Sequence, residues 1–364
     1  AHKGLLAKVR PDDLAAQVVR GLIDRTGVNV DDIEDLILGC AFPEGEQGFN
    51  MARLVVLMAG LPISVAGTTI NRFCGSSMQS IHNAAGAIQM NAGEVFICAG
   101  VESMSRVTMG GFNPMPNPAL LESNPAAYIS MGETAENVGK EYNIDRKEQE
   151  QFAVLSQQKA ADAQSLGKLE QEIVPIQMNG LTVDTDGCLR PGTSAEDLAG
   201  LKLAFDENGS VTAGTSSPLT DGAAATLVCS EAYAQKNGLE PIARIKSIAV
   251  SGCKPETMGL GPIFASRKAL ARAELSADAI DVVEINEAFA TQSIASVRDL
   301  GLNIDKVNID GGAIAIGHPL GATGARITGK AAQILKREDG RYALSTQCIG
   351  GGQGIATVME TVGV

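Results

Sequence analysis

Tryptophan is absent from this 364-residue chain, histidine occurs three times, and aromatic residues make up only 4%. Positive charge is also scarce: 29 basic residues face 42 acidic ones, a formal net charge of -13. That balance argues against nucleic acid or an anionic membrane as the main partner and leaves room only for a local basic pocket, as for a phosphorylated cofactor. Long apolar runs are missing too, since Gly, Pro or a charge breaks each one short of the roughly 18 residues a membrane helix needs. The start shows neither the basic head nor the apolar centre of a secretory signal. No CxxC occurs, and the seven cysteines (Cys40, Cys74, Cys98, Cys188, Cys229, Cys253, Cys348) are odd in number and widely spaced. Bound metal and a disulfide framework are therefore both poorly supported, which leaves a reducing compartment and cysteines that are core fillers or nucleophiles.

What is present is ordinary for a folded chain: 45% hydrophobic and 20% charged residues, enough for two cores or one large one. Glycine is abundant at 41 residues, a density that points to tight helix–sheet packing and backbone approach to a ligand. Apolar spacing predicts a helix over 11–27, closed by Gly27, and another over 51–58. Buried strands are expected at 36–40 and 95–100, and this alternation implies a parallel, helix-covered sheet. From 105 to about 217 the texture becomes irregular and rich in Met, Pro, Asn and Gly, with one clear helix at 146–166; such an insertion reads as a lid or binding segment. Core-like sequence resumes at 222–229, followed by a helix and a strand over 242–250.

An internal repeat organises these elements. Residues 32–42 match 279–289 in pattern, with Ala41-Phe42 and Ala288-Phe289 lying 247 positions apart. At nearly the same offset the strand and helix around Cys74 meet 311–321, and strand 95–100 meets 342–346. The chain is thus a duplicated α/β unit. The strand at 242–250 would have its counterpart before Ala1, so the first half as given is expected to lack its opening strand and to have residues upstream.

Cys74 falls where a β-prone run meets a helix whose apolar residues are Met78, Ile81, Ala85 and Ile88. Free N–H groups and the helix dipole there favour a thiolate, and Gly75 and Ser76 leave the sulfur unobstructed; a buried structural cysteine fits this stretch equally well. Duplication brings equivalent loops to one sheet edge, where ligands enter α/β folds. The second half offers Asn286, His318 and Cys348 at that edge, each following an apolar strand. His318 stands among glycines, where a packed imidazole has little to pack on, whereas His82 lies within a helix and suits packing. Cys348 precedes a glycine run and so combines a thiol with free backbone N–H groups, the parts of an acid/base and an oxyanion hole.

Four motifs in this order resemble the thiolase family over essentially the whole chain: Asn71-Arg72-Phe73-Cys74-Gly75-Ser76-Ser77, Asn286-Glu287-Ala288-Phe289-Ala290, residues 311–326 around Gly317-His318-Pro319, and Cys348-Ile349-Gly350-Gly351-Gly352. The resemblance implies two βαβαβαββ halves in a five-layered αβαβα sandwich with an inserted loop domain that binds coenzyme A. The implied division is 1–104 with 218–240 for the first half, 105–217 for the loop domain and 241–364 for the second half. By the same resemblance, Cys74 is the nucleophile toward a 3-ketoacyl-CoA and His318 activates it. His318 and a water on Asn286 stabilise the enolate, Cys348 moves the proton at carbon, and the N–H groups of Cys74 and Gly350 form the oxyanion hole. Ser217, Phe289 and Met131 match pantetheine and acyl contacts. Coenzyme A is then a co-substrate, with no permanently bound cofactor and no metal.

Ser130, in Tyr128-Ile129-Ser130-Met131-Gly132, occupies the place of a histidine in short-chain biosynthetic thiolases, so the resemblance leans to the degradative 3-ketoacyl-CoA enzymes of β-oxidation. The segment 176–182 is shorter than is usual in the family, which puts the tip of that lid hairpin in question. The nearest rival is a biosynthetic acetoacetyl-CoA thiolase with the same active site. A ketoacyl synthase would carry a second His in place of Cys348, and a silent CoA-binding protein would have lost one of the four catalytic side chains. A homodimer or homotetramer is expected, with a hydratase/dehydrogenase partner subunit conceivable, in a bacterial-type cytoplasm or an organellar matrix.

Overall fold

The computed structural model describes residues 1–178 and 180–363. In the first half α1 (Pro11–Thr26) ends at Gly27, whose left-handed φ of 64° only glycine adopts cheaply. There follow β1 (Asp35–Gly39), α2 (Met51–Met58), β2 (Ala66–Ile70), α3 (Ser76–Gln89) and β3 (Val95–Ser103), the last buried along its full length. The insertion holds α4 (Pro118–Ser123), α5 (Met131–Glu141), α6 (Arg146–Ser165), a hairpin of β4 (Ile176–Met178) and β5 (Leu181–Val183), and α7 (Ala195–Ala199). Asn179, at the tip of the hairpin questioned from sequence, lies outside the described residues. Then come β6 (Asp221–Cys229), α8 (Glu231–Asn237), β7 (Arg244–Gly252), α9 (Gly261–Ala273), β8 (Val282–Ile285), α10 (Ala290–Leu300), α11 (Ala313–Ile316), α12 (Leu320–Arg337), β9 (Tyr342–Ile349) and β10 (Gln353–Glu360).

Besides the β4–β5 hairpin, the described residues form two four-stranded sheets, ordered β2-β1-β3-β6 and β7-β10-β9-β8. Helices α3 and α12 pack on each other and on both sheets as the middle layer; α1 and α2 cover the first sheet outside, and α9 and α10 the second. This is the five-layered αβαβα sandwich that the resemblance implies. The repeat holds in register: β1 and β8 begin 247 positions apart, as do β3 and β9. On the second sheet β7 flanks β10, while no described strand flanks the matching edge of β6.

Four expectations change. The sheets are mixed rather than parallel, because β6 returns antiparallel to β3 after the long insertion and β10 returns antiparallel to β9 through a glycine turn. Among the described residues the insertion holds four α-helices where one was expected. Helix α5 was masked by Gly132 and Gly139, and it is fixed by a capping box between Ser130 and Glu133. The partner expected for β2 is not a strand: β8 meets that stretch only in a bridge from Val283 to Val307. Asn308 then turns away at a φ of 46°, and its side chain donates to Ile285 O and accepts from Ile285 N, both at 2.9 Å, doing the work of a strand backbone. His318 consequently follows the one-turn helix α11, and Cys348 lies within β9 rather than after it.

The halves are joined through residues too small to hold them apart. A Cβ on Gly100 would lie 2.2 Å from Gly321 O, and one on Gly324 would lie 2.2 Å from Met78 N. Glycine is thus required where α12 crosses β3 and α3.

Candidate active site

Cys74 occupies a 3-10 turn, Phe73–Gly75, that leads into α3. Phe73 has a φ of 44°, a left-handed conformation that costs a bulky residue on the order of 1 kcal/mol or more. Local hydrogen bonds hold it there: Phe73 N donates to Asn71 Oδ1 at 2.7 Å, Ser76 Oγ donates to Phe73 O at 2.7 Å, and Arg72 N donates to Ser76 Oγ at 2.8 Å. The Asn71-to-Ser76 motif is therefore the set of braces for a strained turn. Cys74 itself is half-buried against Ala41, Phe42, Met104 and Leu320. Burial pushes its thiol up to about 12, against the pull of the N–H groups of Gly350 and of Cys74 itself. Burial outweighs the turn, so the thiolate favoured from sequence is not the resting form. Attack then requires a base that takes the proton as the bond forms.

The second half comes to the same sulfur. Gln347 Nε2 donates to the Cys74 carbonyl, and Cys348, one residue on, is buried with its thiol pushed well up, first by burial and next by the neighbouring Cys74. Gly350 lies between Met131 and Phe73: a Cβ there would stand 3.6 Å from Met131 Sδ and 3.7 Å from a Phe73 ring carbon. Gly351 and Gly352, at φ of 78° and 81°, make the turn that lets the backbone of Gly350 face the pocket.

His318 is buried, not exposed on an open loop. Its Nδ1 stands 2.6 Å from Thr323 Oγ1 and its Nε2 3.3 Å from Asn286 Nδ2. Asn286 Nδ2 is a donor, so Nε2 accepts and the ring proton belongs on Nδ1, toward Thr323. Burial, with Arg326 nearby, pushes the imidazole down from 6.5 to about 3, leaving a neutral ring whose Nε2 lone pair faces Asn286 Nδ2. Asn286 is fully buried and its Oδ1 has no partner among the described residues, so it can accept from a water. Ser217 is half-buried and its N–H donates to Ala288 O at 3.0 Å, beside Phe289. Phe289 packs with Cys348 and Met131, and meets Phe205 edge-on at 6.0 Å.

Sequence reasoning missed Glu102 and Phe205. Glu102 is fully buried in β3 and accepts from Ala41 N at 2.8 Å, Phe42 N at 3.3 Å, Gln47 Nε2 at 2.7 Å and Gly321 N at 2.9 Å. It fastens the start of α12, and with it the His318 loop, to the floor beneath Cys74; a carboxylate inside an apolar strand was the available signal. Glu102→Ala leaves those N–H donors buried and unmatched, and is expected to cost about 3 kcal/mol or more in urea unfolding.

His82, read as a packing residue, is buried with Nε2 2.9 Å from Thr357 Oγ1, and burial pushes it down from 6.5 to about 3. Only the unfolded chain takes up that proton as pH falls below 6.5, so the stability is intact above that pH and is lost on the way down toward 3. His82→Asn is therefore expected to lose roughly 2 kcal/mol less than the parent between pH 7 and 5, measured by urea unfolding at both. Glu284, pushed up to about 8 by burial, acts in the opposite sense: its stabilisation is lost as pH rises through that value, so the difference between variant and parent isolates His82.

A duplicated α/β sandwich whose halves bring two cysteines close enough to raise one another's thiol, with a buried neutral imidazole held on Asn286 in the second half, suits an acyl-transferring class of protein. The descriptions "Thiolase, N-terminal domain" and "Thiolase, C-terminal domain" match residues 1–232 and 239–361, and the chain belongs to the thiolase family. Within it, the chain is 45% identical to the 3-ketoacyl-CoA thiolase of Bacillus subtilis (strain 168), over 99% of this chain and 95% of the relative. It is 48% identical to the 3-ketoacyl-CoA thiolase of a Marinomonas species, over 99% and 94%. It is 46% identical to the 3-oxoadipyl-CoA/3-oxo-5,6-dehydrosuberyl-CoA thiolase of Escherichia coli, over 99% and 96%. The crystal structure of human mitochondrial 3-ketoacyl-CoA thiolase in complex with CoA superposes with a TM-score of 0.92 at 38% identity, covering 100% of this chain and 95% of that one.

Proposed function

We infer that the protein is a 3-ketoacyl-CoA thiolase, an acetyl-CoA C-acyltransferase. It cleaves a 3-ketoacyl-CoA with CoA to acetyl-CoA and an acyl-CoA two carbons shorter. The observation that carries this reading is the meeting of Cys74 with the Gln347-Cys348 and Gly350 segment of the other half. Relatives bearing the degradative name at 45% and 48% identity favour it over acetoacetyl-CoA synthesis.

In the first step the Cys74 sulfur attacks C3 and its proton passes to His318 Nε2. The C2–C3 bond breaks, its electron pair goes to the departing acetyl-CoA enolate, and Cys348 protonates C2. In the second, CoA gives its thiol proton to the Cys348 thiolate, its sulfur displaces Cys74 from the thioester, and the departing Cys74 sulfur takes back the proton held on His318. The N–H groups of Cys74 and Gly350 receive the oxyanion of acyl transfer, while His318 and a water on Asn286 receive the enolate oxygen. Ser217, Phe289 and Met131 contact pantetheine and acyl chain within a lid formed by 105–217. Ser130 caps α5 beside Met131.

The two halves divide as 1–104 with 218–240 and 241–364. A homo-oligomer, dimer or tetramer, is consistent with the exposed edge strand β2 and with Phe49 and Ile63 at 93% and 82% exposure. Among the described residues no helix is long and apolar enough to cross a membrane; residence in a bacterial cytoplasm, and a hydratase/dehydrogenase partner, belong to this reading.

Thiolysis rates over a ladder of 3-ketoacyl-CoA substrates from C4 to C16 test the assignment. Turnover at C8 and above is expected; turnover confined to C4 would transfer the protein to the acetoacetyl-CoA class.

A further inference from the structure

Gln347 does something the four motifs leave unassigned. It is fully buried on β9, and its amide crosses from the second half to the carbonyl of the nucleophile's own residue. A carbonyl accepts only a donor, so the side chain must face Cys74 with its nitrogen. The turn it reaches is the one strained at Phe73.

Among the described residues the other hydrogen bonds to that backbone are local, from Asn71 and Ser76 and between Gly75 N and Arg72 O. The further polar links from this segment to the second half involve side chains: the Gly350 N–H acts on the Cys74 sulfur, Arg72 Nη1 donates to Gln353 Oε1 at 2.9 Å, and Ala325 N donates to Ser77 Oγ at 2.8 Å. The two oxyanion N–H groups belong to different halves, Cys74 to the first and Gly350 to the second. Their spacing is therefore an inter-half distance, and Gln347, three residues before Gly350, is the group that ties it to the nucleophile.

We propose that Gln347 is a positioning residue: its amide holds the strained Cys74 turn against β9, so that the N–H groups of Cys74 and Gly350 face one acyl oxygen. The proposal rests on the thiolase reading for its kinetic consequence but not for its structural one. Misplacing a preorganised donor pair slows the step that uses it without weakening substrate binding, since the substrate is held elsewhere.

Gln347→Leu keeps the volume and removes the donor, and Gln347→Glu restores a donor only when protonated. The measurements are the burst rate of acyl-enzyme formation from 3-ketooctanoyl-CoA, the KM, the rate at which iodoacetamide alkylates Cys74, and the melting temperature. Gln347→Leu is expected to acylate about tenfold more slowly with KM within about twofold of the parent, and to alkylate several-fold more slowly at fixed pH because Gly350 N–H no longer meets the sulfur squarely. Gln347→Glu is expected to recover relative to the parent as pH is lowered, which a purely structural defect would not do.

Acylation by Gln347→Leu at the parental rate, or a loss matched by a raised KM or by unfolding, overturns the proposal. If the Glu variant does not fold, the Leu variant decides alone. If the parent turns over no 3-ketoacyl-CoA, the functional reading fails, and the alkylation comparison still judges Gln347.

Discussion

Cys74→Ser is expected to lower thiolysis by about 10⁴-fold or more and to leave CoA binding within a small factor of the parent. The change removes one polarisable atom and keeps the turn, since the braces from Asn71, Ser76 and Gln347 all act on backbone atoms or on neighbouring side chains. What it destroys is the nucleophile. The Cys74 thiol, pushed up to about 12 by burial, needs a partner base to react at neutral pH, and a hydroxyl holds its proton more tightly still. His318, neutral with its lone pair on Nε2, cannot make up that difference. Equilibrium dialysis with CoA separates lost chemistry from lost binding, and a labelled acyl group covalently trapped on the serine variant would remove Cys74 from the role given to it.

Cys348→Ala is expected to reduce turnover by about 10³-fold or more while Cys74 stays reactive toward iodoacetamide. Breaking the C2–C3 bond leaves a carbanion that must be protonated at carbon, and the proton Cys74 has surrendered is by then on His318. The Cys348 thiol, raised well above the ordinary cysteine range by burial and by the nearby Cys74, remains protonated and serves as the donor. The Cys74 thiol is set by its burial, Glu102 and the N–H groups of Gly350 and Cys74, none of which the truncation removes, so alkylation of Cys74 at a given pH is expected to hold. Unimpaired turnover in this variant would mean that another group delivers the proton.

How much of this was legible depended on where backbone or side chains did the work. The duplication carried β1 with β8 and β3 with β9 at one offset, because those strands are buried on both faces and allow little beyond apolar residues. It failed at His318, where the side chain of Asn308 replaces a strand and lets the chain fold into α11. No periodicity reports a polar side chain standing in for a backbone. The motif residues were found as a set, but the strain at Phe73 that explains Asn71 and Ser76 is a backbone angle with no signature of its own. Glu102 and Gln347 were passed over because each acts across the gap between halves, at sequence separations of 219 and 273 residues.

The account is tested most directly by mixing the protein with 3-ketooctanoyl-CoA in the absence of free CoA, quenching in acid, and weighing the peptides. A hexanoyl group on the peptide containing Cys74, with one equivalent of acetyl-CoA in solution, is the predicted result. An acyl group on Cys348, or release of acetyl-CoA with no covalent adduct at all, would contradict it.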